Sequence, residues 1–404
     1  MYIANYWKRV KSLPPDMLRF LWTDGIYGFS IGVIGVLFNL HLTALGYHAT
    51  AITWITSINP IATTVLSVLM GGLADRFGRT RMLVLGTTLL AFGALLLPVF
   101  SSFALICAAQ LLFSIGQAMI GATEFAVVAA YVSEKERDFA ISLIFANFML
   151  MIGVGSIAGG WLPHWLPQMR TPYESTLLLS GLIFCIAPLA RRKLKAVGEA
   201  GISRDIHGGF LRPSRPVVFY SVFAFLSGLS YGLVMPYLNL ILAGQFGLSV
   251  TMIGIVMAIN EFALFLGSFM TPWVLDRFSV HRALGPLLFF AFLVNFALSI
   301  HIDLIVFVIL LALRSLVNMM YAPAIDSLAL GVVTDMERTI MQSYRGFMRG
   351  IGNIVSVWFG GELLTFKMYG FSFAITGLII LGMTVFYRRG LKGIASVPMS
   401  STYE

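Results

Sequence analysis

Runs of roughly 20 residues with one charged side chain or none recur from end to end of this 404-residue chain, and about that length of helix crosses a bilayer core. In lipid every backbone N–H and C=O must be satisfied within the segment or around a closed barrel, so two architectures are open. Barrel strands are half as long and alternate apolar with polar residues. The runs here are continuously apolar, with Gly and Ser scattered through them as packed membrane helices tolerate, so an all-α membrane protein is expected. Composition agrees: 58% of residues are hydrophobic and 11% are charged, whereas soluble domains carry about a quarter charged.

Spans are expected near 17–44, 50–71, 83–100, 103–131, 141–161, 173–190, 217–243, 250–273, 284–300, 304–331, 340–361 and 370–387. The segments between them alternate sides, and the basic residues follow one side. That side holds Lys8, Arg9, Lys11 and Arg19; Arg76, Arg79 and Arg81; Lys135 and Arg137; a run from Arg191 to Arg215; Arg277 and Arg282; Arg338 and Arg345; and Arg388, Arg389 and Lys392. The other side shows Arg170 and Lys367. By the positive-inside rule both termini are expected in the cytoplasm of a multi-pass inner (plasma) membrane protein. The net charge of +9 is therefore a topology signal, and no nucleic-acid partner is implied. No cleavage site follows the basic start, so span 1 is expected to serve as the insertion signal. Cys107 and Cys185 lie inside spans 4 and 6 without ligand-spaced partners; no metal and no cofactor are expected.

A second regularity is internal. At a constant separation of 201 residues, Leu45-Gly46 aligns with Phe246-Gly247, Ile58-Asn59 with Ile259-Asn260, Asp75-Arg76-Phe77 with Asp276-Arg277-Phe278, Glu136-Arg137 with Glu337-Arg338, and Gly159-Gly160 with Gly360-Gly361. Both Asp-Arg-Phe copies fall on the basic side, so the halves form a parallel repeat about an axis along the membrane normal. The expected division is residues 1–190, a cytoplasmic linker at 191–216, and residues 217–404.

The segment Gly71-Gly72-Leu73-Ala74-Asp75-Arg76-Phe77-Gly78-Arg79-Thr80-Arg81 resembles motif A of the major facilitator superfamily, with a degenerate second copy from Trp273 to Arg282. The resemblance covers nearly the whole chain and implies two pseudo-symmetric six-helix halves that rock about a central cavity. It implies a gating role for Gly71, Gly72, Asp75, Arg76, Gly78, Arg79, Arg81, Asp276 and Arg277, with Arg345 as the partner of Asp75 in a lock between halves. Glycines at 71, 72 and 78 suit a tight turn and close helix approach; the arginines serve equally well as topology anchors. Gly155-Ser156-Ile157-Ala158-Gly159-Gly160 is similar to the antiporter motif C but has Ser156 in place of its proline, and span 4 lacks the arginine of motif B.

Ionisable residues inside spans are costly and mark function by default. Asp24, Glu124, Glu261 and Asp326 are the candidates for carrying a proton, since a carboxyl in lipid beside a like charge is suited to taking one up. Structural hydrogen bonding at the interface is the alternative for Asp24 and Glu124. Gln110, Ser114, Gln117, Gly121 and Glu124 follow steps of 4, 3, 4 and 3 along one face of span 4. Arg314, Asn318 and Tyr321 repeat the idea in span 10, and a buried Glu261–Arg314 pair is expected as clamp, substrate contact or proton switch. Tyr27, Trp54, Asn59, Tyr231, Tyr237 and Asn260 complete the candidate cavity, with packing or kink relief beside Pro60 as the alternative.

Asp24, Glu124, Glu261 and Asp326 against Arg314 and Arg349 leave two negative charges in the spans, which favours a neutral or cationic solute. The expected function is proton-coupled export of a small amphipathic compound by a monomeric secondary transporter. Proton-coupled uptake of a sugar, amino acid or organic anion is the runner-up, followed by lipid flipping and by a non-transporting sensor, for which the short tails leave little room. Sodium is the alternative coupling ion. No nucleophile elbow, phosphate loop or metal-spaced set points to an enzyme.

Overall fold

The computed structural model describes residues 10, 12–196, 214–278, 280–333 and 335–394. Most of the expected linker, and Lys8, Arg9 and Lys11, lie outside the described residues. Among the described residues the chain is helical: α1 (Pro15–Ala44), α2 (Ala49–Phe77), α3 (Arg79–Leu96), α4 (Phe103–Tyr131), α5 (Arg137–Trp161), α6 (Glu174–Arg191), α7 (Arg215–Phe246), α8 (Val250–Phe278), α9 (Val280–Leu298), α10 (Leu304–Gly331), α11 (Asp335–Thr365) and α12 (Tyr369–Ile394). Nine are long and apolar enough to cross a membrane. The other three depart for separate reasons. Helix α2 bends by 58° between Ser67 and Leu69, and the apolar part of α9 is short, Arg282–Leu298. Helix α11 is amphipathic and carries Arg338, Arg345, Arg349 and Glu362 among its apolar residues.

The chain divides into two compact units, residues 1–45 with 65–205, and residues 46–64 with 206–404. The same helix pairing recurs in each. In the first unit α1 packs on α5 and α6, and α3 on α4 and α6; in the second α7 packs on α11 and α12, and α9 on α10 and α12. The α1–α5 and α7–α11 seams need glycine. A Cβ on Gly155 would run into the Phe29 carbonyl of α1, and one on Gly352 into the Phe225 carbonyl of α7. Without side chains the two backbones approach directly, which is how membrane helices associate when lipid removes the hydrophobic drive between them. The Gly155–Gly160 stretch is thus accounted for as a packing seam.

Helix α2 contributes to both units. Met70 and Ala74 pack with Met82 of α3 and with Ala118 and Met119 of α4. Earlier in the helix, Thr53 sits over Gly361 of α11 and Thr64 over Gly350, while Trp54 meets Trp358 edge-on at 4.1 Å.

Candidate functional site

In the first unit the deepest polar cluster forms around Arg191, the last residue of α6, which is completely buried. Its Nε donates to Thr23 Oγ1 (3.0 Å) and its Nη1 to Thr87 Oγ1 (2.8 Å). Each hydroxyl spends its own hydrogen on a carbonyl of its helix, Thr23 on Phe20 and Thr87 on Leu83, so only lone pairs face the guanidinium. The Phe20 ring lies 4.7 Å from Arg191 Cζ, a cation–π contact. The remaining nitrogen, Nη2, points at Asp24 Oδ1 from 3.7 Å, too far for a hydrogen bond.

Asp24 is 1% exposed, and neither of its oxygens receives an N–H or O–H hydrogen bond. Its other neighbour is the Glu124 carboxyl of α4. Two carboxyls and one guanidinium, buried at Asp24 and Arg191 and partly buried at Glu124, carry one negative charge in excess when all are ionised. A carboxyl–carboxyl hydrogen bond forms only when one of the two holds a proton. Tyr27 closes the cluster, stacked on Phe184 at 5.4 Å with its hydroxyl toward Gln117. Higher on α4, Gln110 and Ser114 are buried, and Ser114 Oγ donates back to the Gln110 carbonyl (2.6 Å).

Arg191, counted in the sequence among the basic residues of the linker, is the functional candidate that sequence reasoning missed. Depth is the one signal pointing to it: an acid two turns into a membrane helix calls for a cation at its own depth, and the first basic residue at the inner end of span 6 lies at that depth.

The second unit buries Arg314, 1% exposed, without any acid on it. Its Nε donates to Asn295 Oδ1 (2.8 Å), and its Nη1 faces Met235 Sδ (3.4 Å). Asn295 is itself held by donating to the Ala291 carbonyl. Tyr231 and Tyr321 lie within electrostatic range of the guanidinium. The expected Glu261–Arg314 pair is not formed: Glu261 accepts from Asn260 Nδ2 (3.3 Å), and Asn260 Oδ1 accepts from Ser315 Oγ (2.5 Å). The reason is local supply, since Asn295 on α9 and Asn260 on α8 lie nearer the two charges than the charges lie to each other.

The remaining expected residues are placed as follows. Within its own unit Asp75 pairs with Arg79 (3.0 Å), and Arg345 pairs with Asp326, which also meets Arg349 (3.5 Å). Asp326 is therefore the anchor of two arginines between α10 and α11. Gly71 and Gly72 lie inside α2 with nothing within 4 Å of an added Cβ, so neither serves a turn or a close approach. Gly78 alone makes the turn, at φ 95°. Arg76 lies over the Phe77 ring, and Arg81 and Arg277 are exposed; the Asp276 side chain lies outside the described residues. Tyr237 is buried with its hydroxyl on the Val357 carbonyl (2.9 Å), a packing role. Trp54 and Tyr231 are each 53% exposed. Asn59 is half-buried and its carbonyl accepts from Thr63 Oγ1 (2.8 Å) one turn on. The side-chain oxygen of Asn318 is sealed without a partner.

A family model described as Major Facilitator Superfamily matches residues 23–208 and 220–395. The chain belongs to the Major Facilitator Superfamily. It is thus a multi-pass membrane transporter with the fold of that family. It is 28% identical over 129 residues to the uncharacterized MFS-type transporter YwoD of Bacillus subtilis (strain 168), a stretch of 31% of this chain and 28% of that protein; the match spans little more than a quarter of that relative's length. Among solved structures, an inward-facing, unoccupied bacterial homologue of the human lysosomal transporter Spinster superposes with a TM-score of 0.78 at 14% identity, covering 96% of this chain and 98% of that one. The inward-open xylose transporter XylE from E. coli gives 0.73 at 11% identity over 92% and 96%. The nucleoside transporter NupG gives 0.70 at 15% over 95% and 100%. These likenesses concern the fold.

Proposed function

We propose that the chain is a proton-coupled secondary transporter of the plasma membrane, both termini cytoplasmic, moving a small organic solute by alternating access. The observation that carries the reading is the Asp24–Glu124–Arg191 cluster, in which Asp24 and Arg191 are buried and Glu124 is partly buried. With one proton it is neutral, and without it one negative charge is left beside Asp24 oxygens that no hydrogen-bond donor serves. A site that changes charge by one on protonation, within a single unit, is what coupling a conformational cycle to a proton requires. Asp24 and Glu124 share the carried proton and Arg191 fixes the resting charge balance.

Export by exchange against protons is the expected direction, and uptake with protons uses the same cluster. Proteoliposomes holding the purified chain, a pH-sensitive dye inside and a panel of solutes outside, test the reading under gradients of either sign. Solute-driven proton movement is expected for the wild type. Glu124→Gln is expected to abolish uphill accumulation, a loss of tenfold or more, while solute exchange without a gradient persists. Undiminished accumulation by that variant would remove Glu124 from the coupling.

A further inference from the structure

The charge count that favoured a neutral or cationic solute changes once the helices are in place. Asp24, Glu124, Glu261 and Asp326 are matched by four buried or ion-paired arginines, Arg191, Arg314, Arg345 and Arg349. No negative excess remains to select a cation. The four arginines are not equivalent, however. Arg191 faces Asp24, and Arg345 and Arg349 share Asp326, whereas among the described residues Arg314 hydrogen-bonds only to neutral groups, the Asn295 amide oxygen and the Met235 sulfur.

A guanidinium stays charged in any protein environment, so a buried one without a counter-ion is costly unless something completes it. Arg314 Nη2 makes no hydrogen bond in the protein, yet it is not among the sealed polar atoms, whereas Arg191 Nη2 is. It therefore borders space that another atom can enter. Asn295 holds Nε, fixing the plane of the fork, and Tyr231, half-exposed, and Tyr321 lie within electrostatic range of it. A fork held at Nε, with Nη2 unspent and only a thioether sulfur on Nη1, matches an oxyanion carried on an apolar body.

We propose that Arg314 is the recognition point in the second unit for the anionic headgroup of the transported solute, a small organic acid such as a carboxylate or phosphate monoester with an aromatic or aliphatic body. The proposal deepens the transport reading above and rests on it. Nη1 and Nη2 donate to the headgroup, Asn295 keeps the guanidinium in register, and Tyr231 and Tyr321 cover the apolar part.

The test is calorimetric titration of the full chain in lipid nanodiscs at fixed pH, with four probes that share a benzene ring: benzoate, phenyl phosphate, benzylamine and benzyl alcohol. At least one of the two anions is expected to bind at least about tenfold more tightly than the amine or the alcohol. Arg314→Gln is expected to erase that preference, and Arg314→Lys, which keeps the charge without the fork, to retain part of it. The wild-type preference needs no variant and so survives any folding defect. Benzylamine binding as well as the anions, no heat with either anion, or an undiminished anion affinity in folded Arg314→Gln overturns the proposal. Because binding is read without a gradient, a chain that binds benzoate but moves no protons defeats only the coupling reading. One that couples protons but prefers benzylamine defeats only this one.

Discussion

Arg191 and Arg314 are both among the largest fully buried side chains, one in each unit, and their surroundings are opposite. Arg191 is closed in by two threonine hydroxyls, a phenyl ring and an aspartate, with every nitrogen sealed or bonded. Arg314 is held on one edge by an asparagine, and its outer nitrogen is open. In a repeat protein such a difference teaches where each copy was put to use. One charge belongs to the protein's own balance, which a proton shifts, and the other is left for something the protein does not contain.

The contrast breaks most visibly at Arg191. Arg191→Met is expected to destabilise the chain by about 3–5 kcal/mol, because it strands Asp24 without its cation. The loss should appear as aggregation in size-exclusion profiles from mild detergent, and Asp24→Asn in the same chain should recover part of the folded peak. A well-behaved single variant would show that the cluster does not hold the fold. Arg314→Met strands only the Asn295 oxygen, so thermal unfolding in nanodiscs should record a smaller loss, about 1–3 kcal/mol. Equal losses at the two sites would erase the distinction drawn between them. The mildest effect belongs to Gly71, and Gly352 is its contrast. Gly71→Ala is expected to be neutral or to stabilise α2 by up to about 1 kcal/mol, since its methyl meets nothing. Gly352→Ala, whose methyl meets the Phe225 carbonyl, should cost about 1–3 kcal/mol by the same melting assay. A clear loss in Gly71→Ala would restore a packing role to the motif's first glycine.

What the sequence made legible was whatever depends on lipid as solvent. Apolar runs locate the helices because an unsatisfied backbone in hydrocarbon is too costly to tolerate, and the constant separation of 201 residues, Asp75 to Asp276 for example, is written in residue identities. The acids of the first unit were legible too, since Asp24 and Glu124 are charged within apolar runs. Pairings were not. Asp24 and Arg191 are brought together by the packing of α1 on the end of α6. Arg314 goes to Asn295, on the preceding helix, rather than to Glu261. Hydropathy records how deep a residue lies, whereas a partner depends on which faces of two helices meet. The glycines of the 71–78 segment show the same limit: composition is the same at each, but only Gly78 has the backbone angle that needs it.

Helix α2 carries a consequence for how the chain can be cut. Residues 46–64 are counted with the second unit and residues 65–77 with the first, although one unbroken stretch of main chain links them. Cutting the chain at its centre therefore does not separate two finished bodies. A single cut near residue 205 would leave residues 46–64, which belong with the second unit, on the amino-terminal fragment.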